Sequence, residues 1–218
     1  ILFISIFFFS IILEKSLIIN NLSFSFYETE IDTKKFSIFF TVLCFFLFIN
    51  AFNMYDGING QSALYTITIF LFFIYKSHFI ILSIIIIICS IFFLINNLKN
   101  KIFMGDSGSL TISFLFSILI INFYQNENSF VCEEIFIIMM LPGLDMIRLF
   151  FQRILKKKNP LKADNNHLHH LLLKNFSLKN TIIFNFVLMI LPIILMLLGI
   201  NHLFIIVFFS FLYLIFFY

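Results

Sequence analysis

The sequence predicts an all-α fold: a polytopic bundle of about eight transmembrane helices, forming one membrane domain over 1–218. Three observations predict it. The chain is 61% hydrophobic and only 11% charged, against roughly 25% charged residues in a soluble domain, and its mean hydropathy is +1.08. Apolar runs recur near the 20-residue length that a helix needs to cross hydrocarbon. The charges gather at the boundaries of those runs. Helix rather than strand follows because an open strand leaves its backbone unsatisfied in lipid. This composition excludes a soluble globular enzyme, and a net charge of +3 spread over such boundaries excludes a nucleic-acid binder.

The expected spans, in order, are 1–13, 36–55, 62–77, 78–96, 109–124, 130–152, 180–199 and 202–218. The first is short because the chain opens on an apolar Ile1, as if begun inside a helix. The expectation is therefore the C-terminal part of a larger bundle. Only Lys76, Ser77 and His78 divide the third span from the fourth. With 36 Phe and no Trp, the chain lacks the usual interfacial anchor. Cys44, Cys89 and Cys132 sit in apolar surroundings without paired spacing and read as small hydrophobes. His78 and His202 read as interfacial residues without a role.

Charge orients the bundle. The stretch 148–179 carries Arg148, Arg153, Lys156, Lys157, Lys158, Lys162, Lys174 and Lys179 against Asp164. The positive-inside rule puts it in the cytoplasm, with 153–179 as a basic, histidine-bearing loop. Counting back places 97–108 and 56–61 inside and the acidic 14–35 outside, with ten of the fourteen Lys and Arg inside.

Three polar clusters then share the cytoplasmic face. The first is Asn50-Ala-Phe-Asn53-Met-Tyr-Asp56-Gly57-Ile-Asn59-Gly60. At 100° per residue, Asn50, Asn53 and Asp56 lie on one helical face. Two amides and a carboxylate there suit a hard cation such as Mg²⁺, or a sugar or base edge. Gly57 and Gly60 end the helix and let backbone approach a ligand. The second cluster, Phe103-Met-Gly105-Asp106-Ser-Gly-Ser109, reads as a turn and N-cap before a helix entered at Leu110. A helix N-terminus attracts phosphate, and Asp106 fits that setting if it holds a bridging metal. The third runs from Asp145 and Arg148, three apart and able to pair, through the basic residues to His167, His169 and His170. Basic residues and imidazoles can hold a diphosphate; three histidines can instead bind zinc.

Together and in this order, NAFNMYDGING (50–60), FMGDSGS (103–109), PGLDMIRLFFQR (142–153) and NPLKADNNHLHHLL (159–172) resemble the polyprenyl-phosphate N-acetylhexosamine-1-phosphate transferase family. The resemblance implies a Mg²⁺-dependent enzyme of the bacterial inner membrane with a cytoplasmic site. It implies transfer of a sugar-1-phosphate from a UDP-N-acetylhexosamine to undecaprenyl or another polyprenyl phosphate, with release of UMP, as a first step of lipid-linked glycan synthesis. Carried over by position, Asn53 and Asp106 are metal ligands; Asp56, Asp106 and His169 are the candidate catalytic set, with the role of Asp56, catalytic or structural, left open by the resemblance. Asn50, Asn59, Phe103, Arg153, His167 and His170 are substrate-binding residues, Asn59 and Phe103 at the uracil and the histidines at the phosphates. A homodimer is left open. The chain departs from the pattern twice. No Asp-Asp pair precedes the first cluster, and Asn59 stands where many members carry a second Asp. The rival readings are a metal-binding or metal-transporting membrane protein built on the histidines, and an inactive remnant of a transferase.

Overall fold

The computed structural model describes residues 6, 7, 10, 14–127, 130–159 and 166–217. Most of the expected span 1–13, with Lys162 and Asp164 of the basic loop, lies outside them. Among the described residues the chain forms a short hairpin and eight α-helices: β1 Asn21–Phe24, β2 Tyr27–Asp32, α1 Ser37–Tyr55, α2 Gln61–Tyr75, α3 Ile80–Leu98, α4 Gly105–Glu127, α5 Cys132–Leu155, α6 Leu168–Leu173, α7 Leu178–Leu197 and α8 His202–Phe217. This is an all-α membrane-integral protein, and among the described residues four helices are long and apolar enough to cross a bilayer.

Each expected span from 36 onward has its helix, and the differences lie at the ends. The weak boundary at 76–78 is a real break: Ser77 and Phe79 turn the chain in the left-handed region, φ 63° and 42°. The second cluster is a correction. Gly105 to Ser109 is not a turn before a helix at Leu110; it is the first turn of α4 itself. Gly105, at φ +61°, makes the reversal, a conformation only glycine adopts freely. Asp106 and Ser107 then fall in the helical first turn, where an acidic side chain meets the positive end of the helix dipole.

Two elements stand outside the sequence expectation. The hairpin occupies the polar stretch 14–35, pairing Asn21 with Asp32 and Phe24 with Tyr27. Polar partners tie it to the bundle: the Ser23 amide donates to the Tyr124 hydroxyl at 2.6 Å, and the Ser25 amide and hydroxyl both donate to Glu133 Oε1. Helix α6 is the other, six residues inside the basic loop.

The core is aromatic. Phe45, Phe48, Phe52 and Tyr55 of α1 recur at helical spacing and are buried, as are Tyr65, Phe70 and Phe73 of α2 and Phe116 of α4. Tilted and edge-on rings fill the interior: Phe48 tilted against Phe116 at 4.9 Å, Phe52 edge-on to Tyr65 at 5.5 Å. Helix α2, at 15 residues the shortest of the long helices, spans only about 22 Å and is buried on nearly every side. Helix α3 is peripheral: Ser83, Ser90 and Asn97, seven apart, form its buried stripe, while Ile81, Ile88 and Phe92 face outward.

Helix α5 carries Pro142 in its interior. Proline lacks the N–H that would bond the carbonyl four residues back, that of Ile138. In an apolar bundle such a carbonyl is costly to leave alone. Tyr65, fully buried on α2, donates its hydroxyl to Ile138 O at 2.9 Å and takes the missing amide's place. Tyr65→Phe removes that donor and keeps the ring. We expect a loss of about 1–3 kcal/mol, read as a lowered thermal unfolding midpoint in detergent; an unchanged midpoint would show that the carbonyl finds another partner.

Candidate functional site

Contacts bring the three clusters to one end of the bundle. On α1, Asn53 lies one turn before the C-terminus, where the helix ends at Asp56. Its Oδ1 accepts a short hydrogen bond from Ser109 Oγ in the first turn of α4. That bond joins the first cluster to the second. Ser109 is completely buried, whereas Asp106, one turn earlier on α4, is exposed. Asp56, half-buried just beyond α1, has its carboxyl pushed above the ordinary carboxylate range by burial; a hydrogen bond from Ser62 opposes the shift and the nearby Asp106 carboxylate adds to it. The two carboxylates therefore sense one another across the loop.

The third cluster meets the first at Gly57. A Cβ there would lie 2.0 Å from both Cε1 and Nε2 of His169. Only a glycine admits the ring so close to the backbone. His169 is 2% exposed. Its pKa is lowered to about 4, by burial first and then by the neighbouring His170 and His167, so the ring is neutral at pH 7. The three imidazoles have separate surroundings. His167 turns Nδ1 toward Asp145 Oδ2 at 3.2 Å, His169 lies on Gly57, and His170 sits half-buried with its ring 4.3 Å from that of His169. Among the described residues, no three His, Cys, Asp or Glu converge as a metal-binding set.

Asp145 anchors this arrangement from below. Its Oδ1 accepts from Arg148 Nη2 at 2.7 Å, from the Tyr213 hydroxyl at 2.7 Å and from the Leu168 amide at 3.1 Å. Arg148 also donates to the Asn166 carbonyl at 2.7 Å and to the Tyr213 hydroxyl at 3.0 Å. The expected Asp145–Arg148 pair is thus the centre of a buried network on which the start of α6 is built.

The remaining expected residues lie around this centre. Asn59 is engaged by other amides: its Nδ2 donates to Asn100 Oδ1 at 2.6 Å, and Asn97 Nδ2 approaches its Oδ1 at 3.4 Å. Phe103, 71% exposed, presents a bare ring at the mouth, three residues before Asp106. Arg153 is buried within the last turn of α5 rather than lying in a loop, because that helix runs on to Leu155. Asn50 is a turn deeper and bonds back to the Phe46 carbonyl of its own helix; among the described residues no hydrogen bond joins it to the other clusters. Sequence reasoning missed Asn97, Asn100 and Tyr213. Asn97 accepts from the Gly60 amide at 2.6 Å and donates to the Ile102 carbonyl at 2.8 Å, so it ties the Asp56 loop to the Phe103 loop. A buried Asn at the end of an apolar helix was the available signal.

An apolar cavity of about 350 Å³ runs between α1, α4 and α5, from Leu22, Tyr124 and Cys132 at the hairpin end to Ala51 and Ile147 toward the polar end.

The profile of glycosyl transferase family 4 matches residues 1–124, more than half of the 218. The chain belongs to glycosyl transferase family 4. Among curated relatives it is 27% identical over 170 residues to the undecaprenyl-phosphate alpha-N-acetylglucosaminyl 1-phosphate transferase of Escherichia coli K12, covering 72% of this chain and 46% of that protein. It is 28% identical over 170 residues to the protein of the same name from Yersinia pestis, covering 72% and 47%. It is 33% identical over 141 residues to a probable undecaprenyl-phosphate N-acetylglucosaminyl 1-phosphate transferase of Bacillus subtilis, covering 61% and 39%. The chain thus spans about half the length of the curated relatives it matches, or less.

The seat of His169 on Gly57 has a measurable signature. Gly57→Ala forces the ring outward, and the loss of burial should raise its pKa from about 4 toward the ordinary 6.5, as read by NMR titration of labelled histidine. In the unsubstituted protein the unfolded state takes up this proton and the folded state does not. The His169 contribution to stability is therefore complete above about 6.5 and falls as pH drops toward 4. Gly57→Ala should flatten the pH dependence of unfolding across that window; an unchanged profile would place the ring elsewhere.

Proposed function

We propose that this family 4 protein transfers an N-acetylhexosamine-1-phosphate from a UDP-sugar to a polyprenyl phosphate, releasing UMP, at the cytoplasmic face of the inner membrane. The observation that carries the reading is the meeting of three distant clusters through Asn53–Ser109 and Gly57–His169. Hard oxygen donors on one side face imidazoles on the other, which is the division of labour that two phosphate-bearing substrates need. The names of the relatives support the same chemistry.

The donor set fits Mg²⁺. The Asn53 amide oxygen and the Asp106 carboxylate would hold the ion, with Asp56 beside them; these are oxygen ligands of the kind Mg²⁺ takes, and the Asp56 carboxyl, raised by burial and by the Asp106 carboxylate nearby, gains from a cation placed there. When bound, the ion supplies charge neutralisation to the donor's diphosphate. The chain's own residues do the rest. His167, His169 and His170 bind phosphate oxygens. Because His169 is neutral, it donates one ring N–H without adding a charge, and an arriving anion raises its affinity for a second proton. Arg153 and the exposed Lys156–Lys158 draw the anionic donor to the mouth. The bare Phe103 ring offers a stacking surface for the uracil. The apolar cavity, which reaches Ala51 and Ile147 toward the polar end, accepts prenyl units deeper in the bundle and leaves the acceptor phosphate at the polar end. Phosphoryl transfer asks little covalent chemistry of a protein, so positioning and electrostatics are enough.

The test is UMP release from UDP-N-acetylglucosamine by the membrane-reconstituted protein with undecaprenyl phosphate and Mg²⁺. Asp106→Asn should lower the rate by about 10²-fold or more and weaken the response to Mg²⁺. Release that is absent from the unsubstituted protein, or equal in the variant, would overturn the assignment. Profiling UDP-GlcNAc against UDP-GalNAc and UDP-MurNAc-pentapeptide then fixes the sugar.

A further inference from the structure

The C-terminal helix α8 carries a polar group that a lipid-facing anchor would not need. Ile205, Phe209 and Tyr213 form its buried stripe, while Phe204, Val207, Phe211 and Ile215 face outward. Hydrophobic packing alone would accept phenylalanine at 213. Instead the hydroxyl is buried and used twice, donating to Asp145 Oδ1 at 2.7 Å and accepting from Arg148 Nε at 3.0 Å.

Asp145 spends its remaining bonds on one short segment. Oδ1 accepts the Leu168 amide, the first N–H of α6, and Oδ2 faces His167 Nδ1. Arg148 holds the carbonyl of Asn166 immediately before. Three consecutive residues, 166 to 168, are thus gripped by one ion pair, and Tyr213 bonds both of its members. A six-residue helix cannot hold its own shape in water, because nucleation costs more than so few hydrogen bonds return. The direction of α6, and with it the rings of His169 and His170, depends on this grip.

We propose that Asp145 and Tyr213 are positioning residues for the histidine helix, which makes α8 a working part of the site. Tyr213 fixes the Asp145 carboxylate against Arg148; Asp145 fixes the ring of His167 and the start of α6; α6 delivers His169 onto Gly57. Neither residue touches substrate in this scheme. The kinetic consequence rests on the transferase reading given above, whereas the geometric consequence does not.

Tyr213→Phe separates the two, since it keeps the ring and the packing. The protein reconstituted in nanodiscs is treated with diethyl pyrocarbonate, and modification of His167, His169 and His170 is followed by mass spectrometry. In parallel, the constants for both substrates are measured. We expect the histidines of Tyr213→Phe to react about fivefold faster or more, the effect of one lost hydrogen bond on local opening. The KM for the UDP-sugar should rise by a similar factor, with the KM for polyprenyl phosphate unchanged. Asp145→Asn should do the same more strongly; if it fails to fold, Tyr213→Phe still decides. Histidine reactivity equal to that of the unsubstituted protein overturns the proposal, whatever the turnover. So does a lowered midpoint with unaltered constants, which marks α8 as packing only. Faster modification together with no turnover in the unsubstituted protein upholds the positioning role and overturns the transferase reading instead.

Discussion

In hydrocarbon a polar group must find its partners within the chain, and that demand is met most densely at Asp145. A carboxylate buried at that depth is tolerated only when charge and hydrogen bonds surround it. Arg148, Tyr213, His167 and the Leu168 amide supply them. Removing one partner leaves the others buried and mismatched, so the group stands or falls as a unit. Because those partners come from α5, α8 and the approach to α6, satisfying one charge fixes three elements at once.

The same logic shapes the rest of the polar end. Asn97 uses its amide to bind the Gly60 N–H and the Ile102 carbonyl, and the loops bearing Asp56 and Phe103 are joined as a result. Asn53 and Ser109 satisfy each other across α1 and α4. None of these bonds is strong by itself, each being worth about 1 kcal/mol net. Their effect is to hold carboxylates, amides and imidazoles near one another before any ligand arrives, and charges held in advance need no reorganisation during a reaction.

What was legible in the sequence follows from which signals are local. Span positions are local, since apolar length is set by the bilayer, and the helices from 37 onward fall where the apolar runs do. The sharing of one face by the three clusters was legible from basic residues counted along the chain, and Gly57 against His169 agrees with it. The hairpin was missed: its strands alternate apolar and polar residues, Leu22 and Phe24, then Tyr27 and Ile31, but β2 is exposed throughout, and the hairpin's partners Tyr124 and Glu133 lie about a hundred residues away in sequence. Helix α6 is too short for periodicity to announce it. Asn59 was placed at the uracil by the resemblance, and the fold adds Asn97 and Asn100 beside it, which no local signal announced. Tyr213 gave no signal at all: one hydroxyl in a run of Phe, Leu and Ile resembles any interfacial tyrosine until Asp145 is seen opposite.

Tyr65 and Pro142 carry a consequence for descent. The hydroxyl at 65 is needed because residue 142 has no amide to give, and it would be surplus beside an alanine there. The two positions lie 77 apart in the chain and on different helices, yet their energies are not separable. Lineages that restore an ordinary residue at 142 are released to carry phenylalanine at 65. Those that keep the imino acid are bound to keep the phenol, so a pair of sites that no ligand touches should drift in step.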